Sequence, residues 1–226
     1  KHQVVPGEGR IKDFVFDNGL YRFLGVKVKG YDFSIASGHV SYTPVKAVNF
    51  QLGHDKLFVG EGYRSMLLSD VGYNYPYLKV STNVWKFQYD FIFTQLLDTR
   101  VPTIFEAGFK KKWASFHYLS MLLGKRVQLG LFEGVVFNSD STGNGGFNWN
   151  FFNPITLFRS VQYAYDGSGN NAVAGLNLKY VPFDGAAFYG QLAIDELDFT
   201  KMGKSGFIGQ RLGWQLGFKV FDPFGL

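Results

Sequence analysis

The chain has 226 residues, a net charge of +5, no cysteine, 28 glycines, 19% aromatic and only 18% charged residues. The missing cysteines exclude disulfides and thiolate metal sites, and the basic excess is too scattered outside Lys110-Lys111-Lys112 to argue for nucleic-acid binding. No apolar run nears the ~20 residues of a membrane helix. Period-2 alternation dominates, and with abundant Phe, Tyr and Gly it points to a transmembrane β-barrel. A soluble sandwich or barrel would use the same alternation around a dry core.

The first thirty residues are the least patterned. Val5-Pro6-Gly7-Glu8-Gly9 is rich in turn formers, and Tyr21 to Lys29 reads as a short strand. From Tyr31 to Tyr42 the alternation firms up, with Ala36, Gly38, Val40 and Tyr42 on one face. A turn is expected at 43–46, followed by a strand with Val48, Phe50 and Leu52 on one face.

The stretch Gly53 to Tyr77 breaks the alternation. It holds His54, Asp55, Lys56, Glu61, Arg64 and Asp70, with Gly53, Gly60 and Gly62 freeing the backbone. So long a stretch between clean strands is either a functional loop, a folded-in plug, or a structural loop whose charges satisfy one another.

Four hairpin strands follow. Leu78, Val80, Thr82 and Val84 lead to a turn near Trp85 and Lys86. Phe87, Tyr89, Phe91 and Phe93 then put four aromatics on one face. After a connection with Pro102, Ala114, Phe116 and Tyr118 alternate with Ser115 and His117. Gly124-Lys125-Arg126 turns the chain into Val127, Leu129 and Leu131. Glu133 shares the parity of those residues, so either a bulge resets the face or Glu133 is buried with a partner.

A long polar and aromatic loop is expected over 138–169. It includes Trp149 and either a short helix or an inward-folded loop from Pro154 to Arg159. The next hairpin alternates Ala174, Leu176, Leu178 and Tyr180, turns at 182–185, and returns through Phe188, Gly190, Leu192 and Ile194. The last strand puts Leu212, Trp214, Leu216, Phe218 and Val220 on one face and Gly213, Gln215, Gly217 and Lys219 on the other.

The reading is an all-β antiparallel meander of about nine strands, forming part of an outer-membrane barrel. Short turns would lie at one end and long loops at the other, with Trp85, Trp113 and Phe221 as interfacial girdle residues. Residues 1–226 read as one barrel segment of a longer protein. Phe87, Tyr89, Phe91, Phe93, Leu212, Trp214, Leu216 and Phe218 are expected to face lipid. Which face is outside is beyond the reach of periodicity alone.

G-H-D-K-L-F-V-G-E-G-Y-R-S-M-L-L-S-D-V followed by Y-P-Y-L-K-V resembles the signature of the Wzi-type capsule-assembly family, closest to its RemB-like gliding-motility branch. The resemblance continues, in order, through V-V-P-G-E-G (4–9), Y-D-F-S-I-A-S-G-H-V-S-Y (31–42), F-H-Y-L-S (116–120), L-G-L-F-E (129–133), N-P-I-T-L-F-R-S-V (153–161), Y-G-Q-L-A-I-D-E-L (189–197) and L-G-W-Q-L-G-F-K-V-F-D-P-F-G (212–225). It implies a barrel in the outer membrane of a Gram-negative bacterium, with surface polysaccharide, outer-membrane lipid and other outer-membrane proteins as partners. The family barrel has more strands than this chain supplies.

Glu61 and Asp70 with His54 and Arg64 offer a carboxylate pair of the kind used in glycoside hydrolysis. No nucleophile elbow, zinc helix or phosphate loop accompanies them, so no enzyme, cofactor or metal is expected. His54 and Asp55, adjacent on an extended chain, point opposite ways. Sugar binding suits the loop residues better. Tyr63, Tyr73, Tyr75, Asn148, Trp149, Asn150, Asn153 and Arg159 supply aromatic faces and planar polar groups, if they are not girdle or packing residues. A barrel subunit of a larger secretion or motility complex is the structural alternative.

One expectation concerns the 53–77 stretch directly. It should fold inward as a plug, with Arg64 as hub because its planar fork holds two carboxylates, and with φ > 0 at Gly60 or Gly62. An Arg64 pointing into solvent with no carboxylate in reach would defeat the plug and make the stretch an exposed loop for partner binding.

Overall fold

A computed structural model describes residues 8–12, 30–34, 36–98, 110–137, 152–154, 171–195 and 211–221. The chain divides into two compact units, residues 1–38 and 39–226. The first holds an antiparallel pair, β1 (Glu8–Lys12) and β2 (Gly30–Ser34). The 31–42 stretch, expected as one strand, is therefore two: β2 ends at Ser34, and β3 (Gly38–Val45) begins after a break. The Tyr21–Lys29 expectation lies outside the described residues.

The second unit carries a nine-stranded antiparallel meander. After β3 come β4 (Val48–Asp55), β5 (Tyr75–Val84), β6 (Phe87–Asp98), β7 (Lys110–Leu123), β8 (Val127–Phe137), β9 (Asn171–Phe183), β10 (Ala186–Asp195) and β11 (Arg211–Val220). Each pairs with its sequence neighbour, so the order is β3 to β11 without crossover, and among the described residues the sheet is open at both ends. Pro44 sits in β3, an edge strand, where the ladder tolerates a missing N–H.

The four short turns lie at one end. Backbone bonds tie each to the adjacent strand: Asn83 N–H to Ala47 O, Leu122 N–H to Lys86 O, Val181 N–H to Arg126 O and Phe221 N–H to Gly185 O, all 2.8–3.0 Å. Two turns are shorter than expected. Thr43, Pro44 and Val45 continue β3, leaving Lys46-Ala47 as the turn, and Pro182 and Phe183 continue β9, leaving Asp184-Gly185. At 85–86 the turn uses Trp85 at φ +54°, an unusual conformation for a bulky residue, with the Lys86 ammonium 5.0 Å from the indole ring centroid.

Register converts the alternation of each strand into two faces of opposite character. Leu119, Leu131, Leu176, Leu192 and Trp214 line up across five strands on one face. One residue further along each strand, Gln88, Ser120, Gly130, Asn177, Gln191 and Gln215 line up on the other. The pairing around Glu133 is continuous on both sides, so no bulge resets it. Glu133 is half-buried on the apolar face, opposite His117.

Each face has its own packed cluster. On the apolar face, Phe91, Phe93, Val135 and Phe137 are buried, with Trp113 stacked on Phe93 (centroids 5.2 Å) and Phe152 edge-on to both Phe91 and Phe93. The Tyr89 hydroxyl bonds the Pro154 carbonyl and also lies 2.8 Å from His117 Nδ1. On the opposite face Tyr77, Ile92, Ala114, Phe116, Tyr118 and Phe132 form the second cluster, in which Phe116 stacks on Phe132.

Phe91 is 1% exposed in the first cluster. Phe91→Ala is expected to cost about 3–5 kcal/mol, read as a lowered denaturant midpoint. A loss below about 1 kcal/mol would show that the cluster is not tightly packed.

Candidate functional site: a loop docked on the polar face

The alternation-breaking stretch is shorter than 53–77. Gly53, His54 and Asp55 remain in β4, and Tyr75, Pro76 and Tyr77 already belong to β5, with His54 opposite Pro76 and Asp55 opposite Tyr75. The loop proper is 56–74, and it lies over the polar face.

Its foot is apolar. Leu57, Val59, Leu67 and Leu68 pack on the cluster around Phe116 and Phe132, over β5 to β8. The two arms bridge each other through Val59 N–H to Leu68 O at 3.0 Å. Ser65 Oγ bonds Val59 O and accepts the Leu67 N–H at 3.0 Å. The Tyr75 hydroxyl accepts the Leu57 N–H at 3.1 Å. Tyr75 therefore anchors the foot.

Its tip is polar. Gln191 Oε1 accepts the Met66 N–H at 2.9 Å, and Gln191 Nε2 donates to Ser65 Oγ and Asn177 Oδ1, both at 3.2 Å. Asn177 Oδ1 also accepts the Glu61 N–H at 3.1 Å, and Asn177 Nδ2 donates to the Tyr118 hydroxyl at 3.2 Å. The Glu61 carboxylate takes Lys179 Nζ at 3.1 Å on one oxygen and Lys219 Nζ at 3.3 Å on the other. Buried amides thus satisfy backbone groups that the loop carries away from water.

The path needs glycine twice over. Gly60 and Gly62 both adopt positive φ, +117° and +115°, as expected for at least one of them. On the sheet, Gly175 leaves room for Leu67; a Cβ there would lie 2.3 Å from Leu67 Cδ2.

Arg64 is not the hub. It is exposed, makes no ion pair among the described residues, and stacks only on Tyr63 at 5.9 Å. The planar-fork argument fails because the sheet offers lysines here and not carboxylates, so the loop's partner group has to be an acid. Glu61 fills that role. Arg64 thus meets the condition set against an Arg64-centred plug, while the loop lies docked on the polar face around Glu61.

The other expected residues scatter. Tyr63 is 88% exposed beside Arg64, and Tyr73, Asp70 and His54 are exposed. Asp55 is half-buried and accepts the Lys56 N–H at 2.8 Å. Asn153 is exposed beside Phe152. Trp149, Arg159 and the rest of 138–169, apart from 152–154, lie outside the described residues. The structure thus gathers Glu61 with Lys179, Lys219, Asn177 and Gln191, none of which except Glu61 was singled out as a binding residue. For the four sheet residues the signal was their place on the polar side of each strand's alternation.

The eight residues expected to face lipid share the apolar face. Leu212, Trp214, Leu216 and Phe218 are exposed on β11, Leu216 at 75%. Phe87 is exposed and Tyr89 half-buried, while Phe91 and Phe93 lie beneath Phe152.

Comparison with protein-family models, with curated proteins and with solved structures finds no match for this chain.

Gln191→Ala should leave the Met66 N–H unsatisfied and cost about 1–3 kcal/mol, with faster hydrogen exchange across 60–66. Arg64→Ala should leave that exchange unchanged. Loss of protection in the Arg64 variant would restore Arg64 as the hub.

Proposed function

We propose that the chain is part of the wall of an outer-membrane β-barrel in a Gram-negative bacterium. We place it with the Wzi-type capsule-assembly family, nearest the RemB-like gliding branch, in surface polysaccharide attachment or cell-surface adhesion and gliding. On this reading it is non-enzymatic and needs no cofactor. The observation that carries it is an inverted sheet. The polar face is covered by its own loop, while Leu52, Leu178, Phe188, Trp214, Leu216 and Phe218 stand exposed on the other. An apolar surface of that extent needs an apolar environment, and outward apolar with inward polar is how barrel walls meet lipid. The family and the polysaccharide role rest on the sequence resemblance.

The alternative is a structural wall subunit of a larger secretion or motility complex with no ligand of its own. It is favoured by Phe91 and Phe93, where the apolar face takes protein cover from Phe152.

Reconstituted in lipid vesicles, the protein should lose about 2–4 kcal/mol of stability on Leu216→Arg if that residue lies near the bilayer midplane. A neutral substitution, or a chain that stays soluble and monomeric without detergent, defeats the membrane reading. Cosedimentation of the vesicles with surface polysaccharide supports attachment. Copurification with a motility or secretion complex, without polysaccharide binding, supports the structural subunit.

A further inference from the structure

We infer that Lys179 and Lys219 form a binding site for the carboxylate of an acidic sugar, and that Glu61 occupies it as an internal ligand. The inference rests on the polysaccharide reading and names the class of sugar.

The sheet places both lysines on one face, and the loop brings the carboxylate they share. Lys179 is opposite Tyr189 in the β9–β10 ladder, and Lys219 is opposite Ala187 in the β10–β11 ladder. Both project from the polar face on either side of β10. Their ammonium groups converge on one carboxylate, one on each oxygen. Register sets the two lysines on the same face two strands apart, within reach of one anion, and the two charge-assisted bonds to Glu61 draw their ammonium groups together. The surroundings suit a sugar acid. The Tyr189 ring lies 5.5 Å from the Lys219 ammonium and covers Gly217, where a Cβ would lie 2.3 Å from Tyr189 Cζ. Asn177 and Gln191 supply amides beside it. Two cations, an aromatic face and planar amides form a small convergent polar set.

The loop is fastened in two unequal parts. Leu57, Val59, Leu67 and Leu68 hold the foot by apolar burial. The tip is held mainly by hydrogen bonds and ion pairs: the Glu61 N–H to Asn177, the Glu61 carboxylate to the two lysines, and the Met66 N–H to Gln191. Gly60 and Gly62 lie within that tip, where backbone rotation is least hindered. The lysine side chains remain 33% and 35% exposed, so a solute can reach them. An incoming carboxylate would make the same two charge-assisted bonds that Glu61 makes. Those two bonds offset the two lost with Glu61, and the tip can open to water while the foot stays seated.

The test uses the whole chain in detergent and isothermal titration with an oligogalacturonate. A neutral malto-oligosaccharide of equal length and inorganic phosphate serve as controls. Glu61→Gln keeps the side-chain shape and removes the competing charge, so it should bind oligogalacturonate about tenfold more tightly than the unaltered chain. In the same background Lys179→Met with Lys219→Met should abolish that binding, and Lys179→Arg should retain it. In the unaltered chain, saturating oligogalacturonate should raise hydrogen exchange at 60–66 and leave 57–59 protected.

Equal affinity of the Glu61→Gln and unaltered chains overturns the inference. So does binding that survives loss of both lysines, or phosphate binding as tight as that of the oligomer. If a neutral polysaccharide binds every variant equally, polysaccharide attachment stands and the lysine site falls. If no surface polysaccharide binds the native protein but oligogalacturonate still needs both lysines in the Glu61→Gln chain, the site stands and the attachment reading falls.

Discussion

Everything in the larger unit depends on how the polar face is covered. A sheet with Asn177, Gln191 and Tyr118 buried on one side must satisfy their hydrogen-bonding groups, since an orphaned buried amide costs about 1–3 kcal/mol. The loop 56–74 meets that demand with its own backbone. The Glu61 and Met66 N–H groups go to the two amides, which bond each other. Each side supplies what the other lacks. With the loop on the polar side, the sheet's uncovered surface is its apolar face.

The loop's two ends rest on different physics, and this divides the sheet as well. Over β5 to β8 the polar face is interrupted by Ile92, Ala114, Phe116 and Phe132, an apolar island that seats the foot. Over β9 to β11 it returns to Lys, Gln, Asn and Gly, and the tip is polar to match. Gly62 packs on Tyr189, four residues past Gly185, roughly 13 Å from the turn at ~3.3 Å per residue. The loop leaves from the end opposite the short turns and reaches well toward them. On the proposed reading it is a plug that crosses most of the wall's height. That places Tyr63 and Arg64 away from the long loops where sugar contacts were first sought.

The apolar face is not uniform either. Ser115, His117 and Glu133 sit among the aromatics of β6 to β8, and that sector lies beside Phe152 and Pro154. Polar groups on a lipid-facing surface are costly, so protein cover at this sector fits their presence. The flanking strands, with Leu52 on one side and Leu216 on the other, carry no such polar row and are exposed.

The strands and their alternation were legible because a period of two leaves a direct mark on the sequence, but on β7 Phe116 and Tyr118 take the polar face and Ser115 and His117 the apolar one. Eight of the nine alternating segments became single strands, 31–42 divided into β2 and β3, and four short turns fell at one end. Boundaries were less legible. Pro44 read as a turn but is tolerated on an edge, and His54-Asp55 read as loop because charge hid their pairing with β5. The sequence marked 53–77 as exceptional and its glycines as necessary, yet it pointed to the wrong hub. Alternation states that Lys179 and Lys219 share a face. That their ammonium groups meet on the carboxylate of Glu61, 118 and 158 residues away, follows from strand register and loop path together. Such a meeting is decided by tertiary structure, because local pattern carries no record of which distant charges the fold will bring to one point.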